Sequence, residues 1–479
     1  MSQNGLNEVI ALLEGSVSYS DGKIRVEDEA RARKLVHKWA ETSALGEGDA
    51  QAWARYLTRL LALELGCPPA SIQDLYMARG RGEVPPNFTV PAMNLRSLTF
   101  EAASAVFRAA HKIEAGAFIF EIARSEIGYT GQRPAEYATS VLAAAIAEGH
   151  RGPVFIQGDH FQVSASRYKD DADAELEAVR TLTEDAIQAG FYNIDIDTST
   201  LVDLEQSGEA AQQKNNSELS AMFTTFIRSM EPEGVTVSVG GEIGEVGGRN
   251  STEPELRAYV EVYQEALAAR GNDIAGLSKI SIQTGTSHGG VVLADGSVAD
   301  VKVDFETLKH LSRVAREEYG TAGAVQHGAS TLPESAFGKF PEAEACEVHL
   351  ATNFQNMLYD RLPDALRDEI YAYLDTERGS GRKDGETDEQ FYYNNRKYAL
   401  GPFKAKIWGM DAAAKQKVAD AWQAQFAQLF DLLAIAGTAT YVAQTVDAAK
   451  VQPDKSFYFG EEAAGDRKST RLNSSHQII

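Results

Sequence analysis

Several polar residues in this sequence could do chemistry together, because each comes at the end of a short apolar run. One run ends in Asp159-His160, and a later run ends in Glu242. His288 and His327 end two further runs, and each is followed by a glycine. Three imidazoles and one carboxylate form a nitrogen and oxygen ligand set that suits Zn²⁺, which keeps an open coordination position when it is catalytic. The sequence therefore predicts a metal site, provided that these runs end at one place.

The elements that would bring these residues together are the strands of a parallel barrel. Short apolar strands alternate with longer helical stretches, a pattern typical of βα units. Eight such units close into an α/β fold of the (β/α)8 TIM barrel type, whose active sites lie at the carboxyl ends of the strands. The chain has no two histidines four residues apart, so the convergence depends on the fold. The predicted strands are 88–95, 116–124, 153–160, 193–199, 235–244, 279–285, 324–330 and 347–353.

Helical extensions are predicted on both sides of the barrel. Residues 1–87 form an N-terminal extension that covers the barrel or packs on another subunit, 88–360 form the barrel core, and 361–465 form a C-terminal helical region that completes or covers it. Residues 466–479 are polar, lack periodicity and resemble a translated sequencing adapter, so we interpret them as an artefact and exclude them from the fold. The predicted helices include 99–114, 134–148, 172–189, 253–270 and 411–437.

Composition and charge argue against several classes of partner. The 479 residues carry a net charge of -23, which argues against nucleic acid and anionic membranes. No apolar run reaches membrane-spanning length, and residues 1–15 lack the pattern of a secretory signal. Cys67 and Cys346 are too few and too far apart for a disulfide framework, so buried thiols in a reducing cytoplasm are expected.

Glycines and hydroxyl groups beside the predicted ligands could hold an anion. Gly289 and Gly328 directly follow two of the histidines, Ser330 adds a hydroxyl, and Thr352 lies at the end of the eighth strand. Backbone amides after the last two strands commonly cradle phosphate in barrels of this type. Ordinary tight turns would use the same glycines, so these residues alone leave both interpretations open.

In this order and spacing, the strand-end segments resemble the class II, zinc-dependent fructose-bisphosphate aldolase family, which includes ketose- and tagatose-bisphosphate aldolases. Each segment is short, but their order and strand placement together are specific. The likeness runs from about residue 90 to residue 353. The matching segments are VPAMNL at 90–95, QGDHF at 157–161, IDIDTS at 194–199, GGEIGEVGG at 240–248, GTSHGG at 285–290, QHGAS at 326–330 and VHLATN at 348–353.

The resemblance implies a role for each matching residue. Asp159 would be the general base, and Asp197 an acid that supports a metal ligand from behind. The ligands of the zinc ion would be His160, Glu242, His288 and His327. Contacts to the substrate and its phosphates would come from Asn94, Ser125, Gly289, Gly328, Ser330 and Thr352.

The implied reaction is the reversible aldol cleavage of a ketose 1,6-bisphosphate, with fructose 1,6-bisphosphate as the expected substrate. Asp159 would take the proton from the hydroxyl on the carbon that becomes the aldehyde, and zinc would act as a Lewis acid. The products would be dihydroxyacetone phosphate and an aldehyde phosphate, as in glycolysis. The resemblance further implies a cytoplasmic homo-oligomer, a dimer or larger, and leaves open a monovalent cation near the phosphate site.

Some features favour alternatives to this reaction. The family usually has Asn where this chain has His349, and Thr331 replaces a glycine; both differences concern substrate identity more than metal binding. The GYTG at 128–131 resembles the partner subunits of tagatose-bisphosphate aldolases, so a tagatose-bisphosphate or other ketose-phosphate aldolase and a non-catalytic barrel subunit are the alternatives. No lysine lies at a strand end in a Schiff-base position, which disfavours the lysine-dependent aldolase mechanism.

Overall fold

Eight parallel strands form a closed barrel in the computed structural model of the protein, which describes residues 2–244, 249–285, 293 and 303–460. A hairpin of β1 (Val17–Ser20) and β2 (Lys23–Val26) and a two-residue strand β3 (Pro69–Ala70) come before it. Each barrel strand pairs with the next, and the last pairs with the first. The barrel strands are β4 (Val90–Asn94), β5 (Ile119–Ala123), β6 (Val154–Gln162), β7 (Asn193–Asp197), β8 (Ser238–Glu242), β9 (Lys279–Ile282), β10 (Ala324–Gln326) and β11 (Glu347–Leu350).

The (β/α)8 architecture confirms the predicted fold class, and each predicted strand overlaps a barrel strand. Most strands are shorter than predicted, because the polar residues at their carboxyl ends leave the sheet. β10 stops at Gln326, and the residues beyond it form a turn and the 3₁₀ helix Ala329–Thr331. β6 is the exception, since it continues two residues beyond its predicted end at His160.

Helices surround the barrel and make up most of both extensions. α10 matches its prediction at both ends, and Gly190 caps it with a φ of +102°, a conformation that favours glycine. The helices are α1 (Gln3–Ala11), α2 (Glu29–Leu35), α3 (His37–Leu45), α4 (Gly48–Glu64), α5 (Gln73–Gly80), α6 (Thr99–His111), α7 (Arg124–Thr130), α8 (Pro134–Ala147), α9 (Ala165–Asp170), α10 (Ala172–Ala189), α11 (Glu209–Met230), α12 (Glu253–Ala268), α13 (Phe305–Glu317), α14 (Lys339–Glu342), α15 (Thr352–Tyr359), α16 (Asp364–Arg378), α17 (Asp388–Asn395), α18 (Lys404–Trp408), α19 (Ala412–Leu432), α20 (Ala439–Thr445) and α21 (Lys455–Phe459).

The N-terminal region packs on the barrel but is not wholly helical. The hairpin of β1 and β2 interrupts the predicted helices, and β3 adds to the edge of β6. α3 and α4 pack against α8. The buried guanidinium of Arg79, on α5, donates hydrogen bonds to main-chain carbonyls of Phe88, Ala322 and Ala345. Because these carbonyls lie just before β4, β10 and β11, α5 covers the amino end of the barrel, opposite the end where the site was predicted.

The C-terminal region packs on the helices that surround the barrel. α19 packs against α6 and α15, and the indole N–H of Trp422 donates to the carbonyl of Phe354 at 3.0 Å. The side chain of Asp411 accepts a hydrogen bond from the amide of Ala414, so it caps α19 as an N-terminal acid should. None of the helices in the described part of the chain combines the length and apolarity needed to cross a membrane.

Candidate metal centre and active site

Asp159 and His160 are consecutive residues of β6, yet both line the same cavity at the carboxyl end of the barrel. Consecutive side chains of a regular strand point to opposite faces. Here the register with β7 shifts between Gly158 and Phe161, and His160 adopts a φ of +41°. Such a β-bulge redirects a side chain, and it is a common device beside active sites. The bulge therefore brings the acid and the imidazole of this strand to one place.

The imidazole of His160 is fixed from behind by the carboxylate of Asp197, and Glu242 lies beside the same ring. Its Nδ1 lies 3.0 Å from Oδ2 of Asp197 and 3.3 Å from Oε2 of Glu242. The carboxylate of Asp197 is itself held by the amide and hydroxyl of Ser199, at 3.0 and 2.7 Å. A carboxylate behind a ligating imidazole fixes the ring orientation and makes the other nitrogen a better ligand. Nε2 of His160 lies 3.9 Å from Oδ1 of Asp159.

Three of the four predicted metal ligands converge. His160, Glu242 and His327 each present a ligand atom, and these atoms all lie within 4.8 Å of one another. Nε2 of His327 lies 2.9 Å from the hydroxyl of Ser281, and its ring centroid is 4.2 Å from that of His160. Two imidazoles and a carboxylate are a donor set that fits a divalent transition-metal ion such as Zn²⁺. The fourth predicted ligand, His288, lies outside the described residues.

Burial and charge together affect the carboxyl group of Glu242. Burial, and then the negative charge of Asp197, raise its pKa to about 7. A bound cation acts in the opposite direction, because it stabilises the ionised form of a ligand. Without a metal, this carboxyl group is therefore half protonated near neutral pH, and metal binding and proton release are coupled there.

The two oxygens of the predicted base, Asp159, have different surroundings. Oδ2 accepts a hydrogen bond from Nδ2 of Asn94 at 2.9 Å, and the same amide donates to Oε2 of Glu126 at 2.9 Å. Oδ1 is buried and faces two imidazoles, 3.2 Å from Nδ1 of His349 and 3.9 Å from Nε2 of His160. Burial opposes ionisation, but the charges of His160 and His349 outweigh it and hold the pKa of Asp159 well below its usual range. Oδ1 is thus an ionised oxygen available to accept a proton from a ligand in the cavity.

His349 occupies the centre of the site, although sequence reasoning noted it only as a departure from the family. Its Nδ1 lies 3.0 Å from Oε1 of Glu121 and 3.2 Å from Oδ1 of Asp159. Its Nε2 lies 2.7 Å from Oε1 of Glu347. Its ring centroid is 3.9 Å from that of His327. Carboxylates on both sides outweigh the effect of burial and raise the pKa of His349 well above its usual value.

A layer of charged side chains lies beneath this site, inside the barrel. Lys279 is fully buried, and its ammonium group lies 2.5 Å from Glu347, 3.0 Å from Asp195 and 2.8 Å from Gln157. Burial raises the pKa of Glu121 to about 8 and that of Asp195 to about 6. The signal for this layer was a set of polar residues within otherwise apolar strands, which the sequence analysis did not use: Glu121, Gln157, Asp195, Lys279 and Glu347. Lys279 is the first residue of β9, and its ammonium group is ion-paired with Asp195 and Glu347. It is therefore not a free amine at the carboxyl end of a strand.

The predicted phosphate residues line the cavity beside β10 and β11. Gly328 has a φ of +70° and precedes the 3₁₀ helix that holds Ser330. The hydroxyl of Ser330 accepts a hydrogen bond from the amide of Ala351 at 2.6 Å, and Thr352 is the first residue of α15. Gly328, Ser330 and Thr352 all line the cavity. Gly289, the fourth glycine or hydroxyl residue predicted here, lies outside the described residues.

The cavity has a volume of about 620 Å³, and its lining includes basic side chains. Asn94 and Ser125, the residues predicted to contact the far end of the substrate, both line it. Ser125 is exposed on the first turn of α7, a helix that the sequence analysis did not predict. Four cationic side chains also line the cavity, and none of them was predicted: Arg96, Arg124, Arg167 and Lys397.

Fold and site together define a (β/α)8 barrel with a candidate metal centre and a candidate carboxylate base at the carboxyl ends of its strands. The family profile described as fructose-bisphosphate aldolase class-II matches residues 85–424. The chain belongs to this family of lyases, whose members are generally metal-dependent. No curated protein sequence matches the chain.

Solved structures with related folds are all distant in sequence. The fructuronate-tagaturonate epimerase UxaE of Cohnella laeviribosi is 12% identical with a TM-score of 0.54, over 90% of this chain and 100% of its own. A probable tagatose 6 phosphate kinase of Sinorhizobium meliloti 1021 is 16% identical with a TM-score of 0.50, over 78% and 98%. The fructose-bisphosphate aldolase of Campylobacter jejuni is 17% identical with a TM-score of 0.45, over 75% and 93%. At such identities, the likeness concerns the fold.

Proposed function

We propose that this protein is a zinc-dependent aldolase that reversibly cleaves a ketose 1,6-bisphosphate, with fructose 1,6-bisphosphate as its substrate. The observation that carries the proposal is the position of Asp159. Its Oδ1 lies 3.9 Å from Nε2 of His160 and 3.2 Å from Nδ1 of His349, so the base faces the ligand set that His160 forms with Glu242 and His327. A general base beside a Lewis acid is the pair of groups that aldol cleavage of an unactivated ketose requires.

Asp159 takes the proton from the hydroxyl on the carbon that becomes the aldehyde, and the adjacent carbon–carbon bond then breaks. The electron pair of that bond remains on the ketose-derived fragment as an enediolate, which a second acid then protonates to give dihydroxyacetone phosphate. A divalent cation, when bound by His160, Glu242 and His327, supplies the positive charge that stabilises this fragment. Asn94 keeps Oδ2 of Asp159 occupied, so the proton goes to Oδ1. Gly328, Ser330 and Thr352 hold the phosphate of the fragment that becomes dihydroxyacetone phosphate.

The test is a sugar panel on the purified chain, truncated after residue 460, with and without EDTA. We expect release of dihydroxyacetone phosphate from fructose 1,6-bisphosphate, loss of that release on chelation and recovery on addition of Zn²⁺. Cleavage of tagatose 1,6-bisphosphate instead would change the substrate but keep the chemistry. A zinc-loaded protein that cleaves no ketose phosphate would refute the proposal. A protein that binds no zinc would favour a non-catalytic barrel subunit.

A second candidate is epimerisation of a keto-uronate at C4, as named for UxaE of Cohnella laeviribosi. The specific observation is His349, which lies 3.2 Å from Asp159 where the aldolase family usually has Asn. The two functions share one bond-breaking step. Cleavage between C3 and C4, rotation of the bound aldehyde and re-addition from its other face would invert C4, and the proton held by Asp159 would return to the new hydroxyl. Fructuronate and tagaturonate belong in the same panel, with proton NMR as the readout.

We also propose that the protein works in the cytoplasm as a homo-oligomer of two or more chains. Both cysteines are free and buried, which suits a reducing compartment. Light scattering coupled to size-exclusion chromatography measures the oligomeric state directly, and a monomer at micromolar concentration would contradict this part of the proposal.

A further inference from the structure

A tyrosine of the N-terminal extension reaches into the charged layer inside the barrel. Tyr76, on α5, is buried, and its hydroxyl donates a hydrogen bond to Oε2 of Glu347, the first residue of β11. Tyr76 is not among the residues that line the cavity, and it comes before residues 85–424, the part of the chain that matches the aldolase profile. The charged layer therefore contains a residue that the family profile does not include.

The two oxygens of Glu347 differ in the number of their contacts. Oε1 lies 2.5 Å from the ammonium group of Lys279, 2.9 Å from Nε2 of Gln157 and 2.7 Å from Nε2 of His349. Oε2 accepts the hydrogen bond from Tyr76, and no second donor to it lies in the described part of the chain. A buried carboxylate oxygen without a donor is costly, so without the tyrosine hydroxyl this carboxylate would turn toward the donors around Oε1. Tyr76 thus fixes the rotation of the carboxylate.

His349 connects this carboxylate to the proposed base. Its Nε2 faces Glu347, and its Nδ1, on the other side of the ring, lies 3.2 Å from Oδ1 of Asp159. Both nitrogens belong to one rigid ring, so a change in the direction of Glu347 also turns the nitrogen that faces Asp159. The side chains from Tyr76 to Asp159 are each 4% exposed or less, so little water is present to replace a lost contact.

The helix that carries Tyr76 is tied to the barrel at both of its ends. Before α5, the amide of Ile72 donates to Oδ1 of Asn193, the first residue of β7, at 2.8 Å. Near the end of α5, the guanidinium of Arg79 donates to the main-chain carbonyls ahead of three barrel strands. The helix is therefore a fixed support from which Tyr76 holds Glu347.

We infer that Tyr76 is a positioning residue, which holds the base of the active site in its reactive orientation from the opposite end of the barrel. It acts on Asp159 through Glu347 and His349 and does not touch the substrate. This inference rests on the proposed function and deepens it, because it makes the N-terminal extension part of the catalytic arrangement. A misplacement of about 1 Å can cost about 10²-fold in rate even when its cause is remote. Loss of the Tyr76 hydroxyl should cost less, about 10-fold, because the contacts of Oε1 remain.

The first test removes only this hydroxyl group. In zinc-loaded Tyr76→Phe, kcat for fructose 1,6-bisphosphate should fall about 10-fold, and KM should change less than about twofold because no residue of the cavity is altered. Tyr263→Phe is the matched control, since this buried tyrosine of α12 donates to Oγ1 of Thr224 on α11 at 3.1 Å. It also loses a buried hydrogen bond but should keep the kcat of the wild type, and urea unfolding checks that both variants are folded. A wild-type kcat in Tyr76→Phe, or equal losses in the two variants, would overturn the inference.

A double-mutant cycle tests whether the effect passes through His349. His349→Asn introduces the residue that is usual in the family and removes the ring between Glu347 and Asp159. In that background, Tyr76→Phe should lower kcat by less than about twofold, because residues of one contact network are not additive. If Tyr76→Phe caused its full loss there as well, the tyrosine would act on the fold and not on the base, and the inference would be wrong.

Imidazole NMR separates this inference from the proposed function, because it needs no turnover. In zinc-loaded protein with isotopically labelled histidine, the resonances that disappear in His349→Asn belong to His349. We expect Tyr76→Phe to shift these resonances and Tyr263→Phe to leave them in place. A wild type that cleaves no sugar would refute the proposed function, and shifted resonances would still support the path from Tyr76 to His349. Unshifted resonances in Tyr76→Phe would refute the inference, whatever sugar is cleaved.

Discussion

Two groups of histidines occupy very different surroundings in this protein. His160, His327 and His349 stand in a row across the mouth of the barrel, with ring centroids 4.2 and 3.9 Å apart. His111 and His150 stack on each other outside the barrel wall, with centroids 5.5 Å apart and an interplanar angle of 8°. His160 and His349 of the first group have carboxylates within hydrogen-bonding distance, whereas His150 contacts the ring of His111 and the carbonyl of Pro153.

The comparison teaches that neighbouring carboxylates decide whether the pKa of a buried imidazole is raised or lowered. Burial lowers the pKa of a histidine in both groups. For His160, the charges of Asp159 and Glu242 outweigh burial and raise its pKa well above the usual value. For His150, burial prevails and lowers the pKa to about 4. An imidazole surrounded by negative charge attracts any cation, a proton or a metal ion, whereas a buried neutral imidazole such as that of His150 attracts neither.

The strongest test of the comparison removes the base beside the first group. Asp159→Ala should lower kcat by about 10³-fold or more, since a general base contributes up to about 10⁴-fold. Its zinc content, measured by inductively coupled plasma mass spectrometry, should stay near that of the wild type because His160, Glu242 and His327 remain. His150→Gln in the outer pair is the control and should keep full activity. Zinc-loaded Asp159→Ala with wild-type turnover would show that another group is the base.

A smaller effect, on zinc affinity, is expected when the carboxylate of Asp197 behind His160 is removed. Asp197→Asn keeps the shape of the side chain but removes the charge 3.0 Å from Nδ1 of His160. Loss of such a supporting partner typically weakens metal binding about 10- to 100-fold. Competition with a chromogenic chelator measures the zinc affinity of each variant. The matched control is Asp185→Asn, which removes a surface acid paired with Arg133 and should leave that affinity unchanged.

Most of the first group of histidines could be predicted from the sequence, because parallel strands end at one edge of the barrel and the polar residues there stand out from the apolar runs. The bulge in β6 could not be predicted from the sequence, because it arises from the register of β6 against β7 and not from any local preference of Asp159 or His160. His349 was noted as different from the family, yet its contact with Asp159 follows from barrel closure. Lys397 has no local signal, because the contact with Tyr129 joins residues far apart in the chain. The hairpin of β1 and β2 was missed within a region that is otherwise helical.

His111 and His150, the outer pair, are predicted to affect only the stability of the fold, and the effect of His150 depends on pH. The folded-state pKa of His150 lies at about 4, below the unfolded value of about 6.5, so its contribution to stability is present above pH 6.5 and is lost as the pH falls toward 4. Between pH 7 and pH 5, the free energy of unfolding should fall by about 2 kcal/mol through this group. His150→Gln cannot take up the proton, so urea unfolding of that variant should lack this part of the decline. If the wild type and the variant lost stability in parallel, the outer imidazole would be protonated in the folded state, and the contrast between the two groups would fail.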